Sequence, residues 1–325
     1  MPIMLGNISA MLTHVHLYSS CLFQNTGYTL YETIVSSGGI MRRLSFVVLL
    51  FFICLSCTLE SPLSIIGSNA LNTSAPLQTV KICFIHHSTG SAWISSGGLG
   101  NALNENNFYV TESDYGWDAE PNDDLGDHTD TGNWPMWFND QKMPYVYANN
   151  SNFDYTNTIT QPAGEDSIIM FKSCYPSSEV GDSIDDEKEI YTDLLAYFSA
   201  HRDKMFVMVI PPPEISIDSA ELTRELSQWL VDRTTGWLAS YSYNNVYAFN
   251  YYNVLTDPNN HHYVNSDGKE ENTVSDHPKD PFHPDELYYH SGGDDHPSDE
   301  GHQKASAEFL PLLCGWYNIW KSGVH

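Results

Sequence analysis

The sequence predicts an α/β protein with a central parallel sheet covered by helices on both faces, a three-layer α/β/α arrangement. Two observations carry this. Short, nearly unbroken apolar runs recur along the chain, as strands buried on both faces require, and segments of helical periodicity lie between several of them. Taken in order, the first strand is expected at residues 80–86, where "VKICFI" stops abruptly at His86, His87 and Ser88. Further strands are expected at residues 108–112, 167–171, 205–210 and 246–250. Residues 187–200 read as a helix, because Ile190, Leu194, Leu195 and Phe198 share one face. Residues 220–241 read as a second, with Leu222, Leu226, Trp229, Leu230, Trp237 and Leu238. Ser298 is placed to cap a third, with Asp299 and Glu300 in its acidic first turn, running to about residue 314. Residues 115–160 and 256–293 depart from the alternation and read as long loops, a length that usually carries function.

The amino-terminal part differs from the rest. Met41-Arg42-Arg43 precedes the apolar run "LSFVVLLFFICLSC", the charged and hydrophobic regions of a secretory signal and too short for a good spanning helix. Translation is therefore expected to start at Met41, with residues 1–57 comprising a mis-assigned extension and a signal peptide. Cys57 is the residue a lipid would modify if cleavage is of lipoprotein type, and plain signal cleavage nearby is the alternative. Residues 58–78 read as a flexible Ser/Asn/Pro tether, and residues 79–325 as one domain. The chain is expected to be secreted or anchored at the cell surface.

The formal net charge of -27 argues against nucleic acid or an anionic membrane surface as partner, since both would repel the chain. Beyond the signal only Cys83, Cys174 and Cys314 remain, without C-x-x-C spacing, which excludes a disulfide framework and a zinc ribbon.

A serine at the end of a buried first strand is where α/β enzymes present a nucleophile, and it needs a histidine and a carboxylate from elsewhere in the fold. Near the carboxyl terminus "GGDDHPSDEGHQKASAEF" holds His296 at the entrance of the last helix with carboxylates beside it. Together, "HHSTG", "FYVTESDYGW" and "DDHPSDEGHQKA" resemble the blocks of the SGNH/GDSL hydrolase family over roughly residues 79–315. The resemblance implies a flavodoxin-like SGNH hydrolase fold and a serine esterase without a cofactor. It implies Ser88 as nucleophile, His296 as the base and Asp294 as the residue orienting it. The Gly116 amide would help bind the oxyanion, with the Ser88 amide.

Three positions depart from the family pattern. Gly293 stands where the family has its aspartate, so Asp294 takes the orienting role. The third block reads Phe171-Lys172-Ser173-Cys174 and lacks the oxyanion asparagine, leaving Ser173 or Lys172 to donate. His86 and His87 replace the Gly-Asp before the serine, and one of them would be either a supporting donor or simply a satisfied turn histidine.

Cys174, also at a strand end, is an alternative nucleophile, with Lys172 the only adjacent group to lower its pKa. The His-rich segment between 257 and 290 matches neither H-E-x-x-H nor an EF-hand loop, so no metal is expected there. Trp134, Trp137 and Phe138 suit either stacking on sugars or packing beneath a loop. Export and these aromatics point to an O-acyl, for example acetyl, group on a carbohydrate as substrate. The opposing reading is a non-catalytic surface protein that binds glycan or calcium, and a metal-dependent hydrolase is third.

Overall fold

A computed structural model describes residues 70–174, 183–215, 220–275, 287–291 and 295–323. The signal sequence, Cys57, most of the expected tether, and Asp294 lie outside the described residues. The elements in chain order are β1 (Val80–Ile85), α1 (Thr89–Ile94), α2 (Leu99–Glu105), β2 (Phe108–Ser113), α3 (Trp134–Trp137), α4 (Met143–Tyr147) and β3 (Ile168–Lys172). They continue with α5 (Asp185–Ala200), β4 (Met205–Val209), α6 (Ala220–Val231), β5 (Val246–Phe249), α7 (Tyr251–Thr256), β6 (His261–Val264), β7 (Glu270–Thr273) and α8 (Asp299–Ser322).

Five strands form one parallel sheet in the order β2-β1-β3-β4-β5, with Ile82 of β1 opposite Val110 of β2 and Ile168 of β3. Successive residues of each strand supply opposite faces. Cys83, Ile85, Ile169, Phe171 and Met208 pack against α3 to α6, whereas Ile82, Phe84, Met170, Val207 and Phe249 pack against α1, α2, α7 and α8. The result is the expected α/β fold with helices on both faces of a parallel sheet. Chain order reverses between β1 and β3, because β1 leads out to β2 and the chain then returns to β3 on the other side. At such a switch point the loops leave the strands in opposite directions and open a crevice at the carboxyl edge.

Several boundaries differ from expectation for local reasons. Helix α6 stops at Val231, where the Asp232 carboxylate accepts the Thr234 and Thr235 amides at 2.7 and 3.1 Å and turns the chain. Helix α8 passes through Pro311 and ends only at Gly323 (φ 63°), because Leu312, Leu313, Trp316 and Trp320 keep its buried face continuous. A hairpin, β6 and β7, occupies part of the expected 256–293 loop. Its strands "HHYV" and "EENT" lack apolar alternation, and the turn closes through the Asn265 amide donating to Lys269 O at 2.8 Å. Residues 70–78, within the expected tether, are bonded to the domain: the Leu71 amide donates to Gly268 O at 2.6 Å, and Asn318 Nδ2 donates to Asn72 O at 2.7 Å. Among the described residues no helix is long and apolar enough to cross a membrane.

Candidate active site

The switch point brings together the exits of β1, β2 and β3. β1 runs into His86 and His87 and then turns at Ser88 into α1. Ser88 has φ 20° and ψ −77°, and it is the only described non-glycine residue with positive φ that is neither Asn nor Asp. A serine held there is strained, and the turn is tight enough that the Gly90 amide donates to His87 O at 2.7 Å. Gly90 must lack a side chain because a Cβ would collide with the His86 side chain.

Around Ser88 the structure assembles groups from three elements. The Tyr115 side chain, just beyond β2, borders both Ser88 and Cys174. Burial and the neighbouring Cys174 and Asp114 charges push this phenol up to about 12. Its ring stacks on His87 with centroids 3.7 Å apart. Cys174, just after β3, places Sγ 3.5 Å from His87 Nδ1. The opposite ring nitrogen, His87 Nε2, contacts the Gly126 carbonyl. A carbonyl only accepts, so Nε2 carries the hydrogen and Nδ1 presents its lone pair to the thiol. Burial lowers the His87 pKa and the nearby Lys172 adds to the effect, and together they outweigh the Gly126 bond, which favours the protonated ring.

Ser88 is partly exposed, in the turn between β1 and α1. His296 sits on the loop entering α8. That loop is tied to the same edge of the sheet, since Asp295 Oδ1 accepts the Ile215 amide at 2.8 Å beyond β4. Asp299 Oδ1 accepts Ser96 Oγ at 2.6 Å just beyond α1. His302, one turn into α8, senses the charges of both His296 and Lys172, and burial takes its pKa down to about 4.

The three residues expected to supplement the oxyanion site are committed elsewhere. The Gly116 amide donates to Asp127 Oδ1 at 2.8 Å, an internal bond that shapes the 114–127 turn. The Ser173 hydroxyl is fully buried between Trp134 Nε1 and Thr131 Oγ1, both at 3.0 Å. Lys172 Nζ donates to Ser173 O at 2.7 Å and is fully buried, which lowers its pKa to about 8. Ser173 braces the loop after β3 and Lys172 adds positive potential beside His87 and Cys174. Trp134, Trp137 and Phe138 are core residues, with Trp117 stacked on Trp137 at 5.6 Å, so they offer no platform for a sugar. Tyr115, 52% exposed, and Phe153, 46% exposed, are the aromatics presented near this edge.

Sequence reasoning missed Tyr115 and the pairing of His87 with Cys174. The doubled histidine was the one available signal, but 87 residues separate the paired side chains. Comparison with protein-family models and with curated proteins finds no match to this chain.

Proposed function

We propose that the protein is a serine hydrolase acting on an ester, with Ser88 as nucleophile. The observation that carries this reading is the strained backbone of Ser88 in the turn between the first strand and its helix, at the switch point. Strain of this kind persists only where surrounding structure enforces it, and a sharp strand-to-helix turn is how α/β hydrolases hold a nucleophile clear of its neighbours. Ser88 Oγ attacks the acyl carbonyl, His296 takes its proton, and the alkoxide leaves as that proton is returned to it. Water then attacks the acyl-enzyme by the same path in reverse. The Ser88 amide faces the developing oxyanion, and the buried Lys172 lends positive potential to that side of the crevice. Resemblance to the SGNH/GDSL family supports the same assignment, with Asp294 orienting His296. The burial of the tryptophan loop removes one ground for a carbohydrate substrate, and the ester itself is the class we propose.

A second reading has its own support. Cys174 with His87 Nδ1 at 3.5 Å, the imidazole oriented by Gly126 O, is the geometry of a thiol nucleophile and its base. Labelling the intact protein with a fluorophosphonate and locating the adduct by peptide mass spectrometry separates the two. An adduct on Ser88 is expected. Ester turnover without a Ser88 adduct, abolished by alkylation of Cys174, overturns the serine assignment.

A further inference from the structure

We propose that His86, Glu112 and Asp154 form a binding site for one divalent first-row transition-metal ion beside the Ser88 turn. His86 and Glu112, from the ends of β1 and β2, are fully buried, and Asp154 closes the cluster from an exposed loop. One ligand atom from each residue lies within 4.8 Å of the others, and His86 Nε2 is 3.3 Å from Glu112 Oε1. Donors about 2.1 Å from a shared ion sit about 3.0–3.4 Å apart in octahedral or tetrahedral shells, so this pair already has the separation of two ligands. Glu112 is locked in place by the Phe153, Asp154 and Tyr155 amides, which donate to its carboxylate at 3.0 to 3.2 Å.

The second, independent observation is Asp114. This residue is 5% exposed, its Oδ1 is buried without a hydrogen-bond partner, and its carboxyl meets that of Asp154. Two buried carboxylates and a third at the opening thus converge on a single histidine. Among the described residues no lysine or arginine forms an ion pair with any of the three. Like charges gathered out of water call for a cation. On metal binding His86 Nε2 becomes the ligand, and the hydrogen moves to Nδ1, which also lacks a partner and faces Asp114 Oδ2 at 3.9 Å. A carboxylate behind a metal-bound imidazole is the usual outer support for such a ligand. An imidazole among carboxylates suits zinc, manganese or iron, whereas calcium prefers oxygen donors alone. The ion would clamp β1 to β2 two residues before Ser88, whichever residue is the nucleophile.

The test is titration of the chelator-treated full chain with cobalt(II), followed by visible absorption and displacement by zinc(II). One ion per chain is expected at micromolar concentration. Asp154→Asn removes one exposed ligand atom and keeps the backbone bond to Glu112, so its fold should be retained. Loss of an outer-shell partner alone costs 10–100-fold in affinity, and loss of this ligand is expected to cost at least about tenfold. Glu112→Gln is expected to abolish binding, and if it does not fold, Asp154→Asn alone decides. The proposal is overturned if the wild type binds no cobalt or zinc at that concentration. Equal affinity of the wild type and Asp154→Asn overturns it too, since the ion would then sit elsewhere, such as on the histidines of the 257–290 segment. Binding of calcium in preference to zinc overturns the assigned class of ion.

Discussion

Two lysines are buried in the same sheet, and they are treated in opposite ways. Lys81, near the amino end of β1, donates to Asn149 O at 3.0 Å and Gly164 O at 3.3 Å and lies 3.6 Å from Asp166 Oδ2. Asp166 in turn accepts from Thr111 at 3.1 Å, and Lys204 donates to its backbone carbonyl at 3.0 Å. Lys172, at the carboxyl end of β3, has Ser173 O at 2.7 Å, and burial takes its pKa down to about 8. Both edges contain buried charge, but among the described residues only the amino edge surrounds its cation with an acidic partner and several acceptors. Hydrogen bonds are missing at both edges, for Asp166 Oδ2 at the amino edge and for His86 Nδ1 and Asp114 Oδ1 at the carboxyl edge, but Asp166 Oδ2 has the Lys81 ammonium 3.6 Å away. The amino edge spends its polar groups on holding strands together. The carboxyl edge, among the described residues, leaves its buried lysine without an ion-paired carboxylate, a cost to stability that makes sense where ligands bind.

The sharpest way to break this comparison is to separate activity from stability. Ser88→Ala is expected to lower turnover of a chromogenic acetyl ester by at least about 10³-fold with little loss of stability. His296→Ala should fall about as far, the double variant little further, and Cys174→Ala should stay near wild type. An inactive Cys174→Ala beside an active Ser88→Ala would transfer the nucleophile to the thiol.

Next in size is the pH dependence of unfolding. Burial raises Asp166 from its ordinary 3.8 to about 7 despite Lys81, so the folded state holds this proton more tightly than the unfolded chain. Its contribution is fully present below pH 4 and lost as pH rises to about 7, on the order of 4 kcal/mol. Lys172 has the opposite sign. Its folded pKa is depressed, so stability recovers as pH rises from about 8 towards 10.5, by on the order of 3 kcal/mol. Denaturant unfolding across pH should show Asp166→Asn flattening the acidic slope and Lys172→Met the alkaline one.

The two lysines can also be compared directly. Lys81→Met strands Asp166 at pH 8 and is expected to cost about 3 kcal/mol, with activity per folded molecule retained. Lys172→Met removes a poorly compensated buried cation and is expected to stabilise by about 1 kcal/mol at pH 7, while lowering ester turnover. Equal destabilisation by both would erase the contrast. The smallest effect concerns the turn after β2. Asp127→Ala releases the Gly116 amide and is expected to cost about 1 kcal/mol in thermal or denaturant unfolding. Turnover should stay within about threefold of wild type, and a larger rise would return Gly116 to the oxyanion site.

Much of the fold was legible in order along the chain. The five strands could be read because burial on both faces leaves uninterrupted apolar runs such as "IIMF" and "MFVMV". Ser298 could be read as a cap because capping is local chemistry, and its hydroxyl accepts the Gly301 amide. The same local reading failed for the β6 and β7 hairpin, whose strands are recognisable only by their pairing, and for the end of α6, set by one aspartate. The placement of Ser88 in a tight turn at the end of the first strand was implied by "HHSTG", whereas its positive φ was not. What surrounds it was decided only by the tertiary structure. Cys174 meets His87 because β3 returns beside β1, and His86 meets Glu112 and Asp154 because β2 flanks it on the other side. Those ligand atoms lie 26 and 42 residues apart along the chain, far from any local metal-binding spacing. The oxyanion assignments failed for the same physical reason: which hydrogen a glycine amide or a serine hydroxyl gives, and to what, depends on an acceptor that another part of the chain supplies.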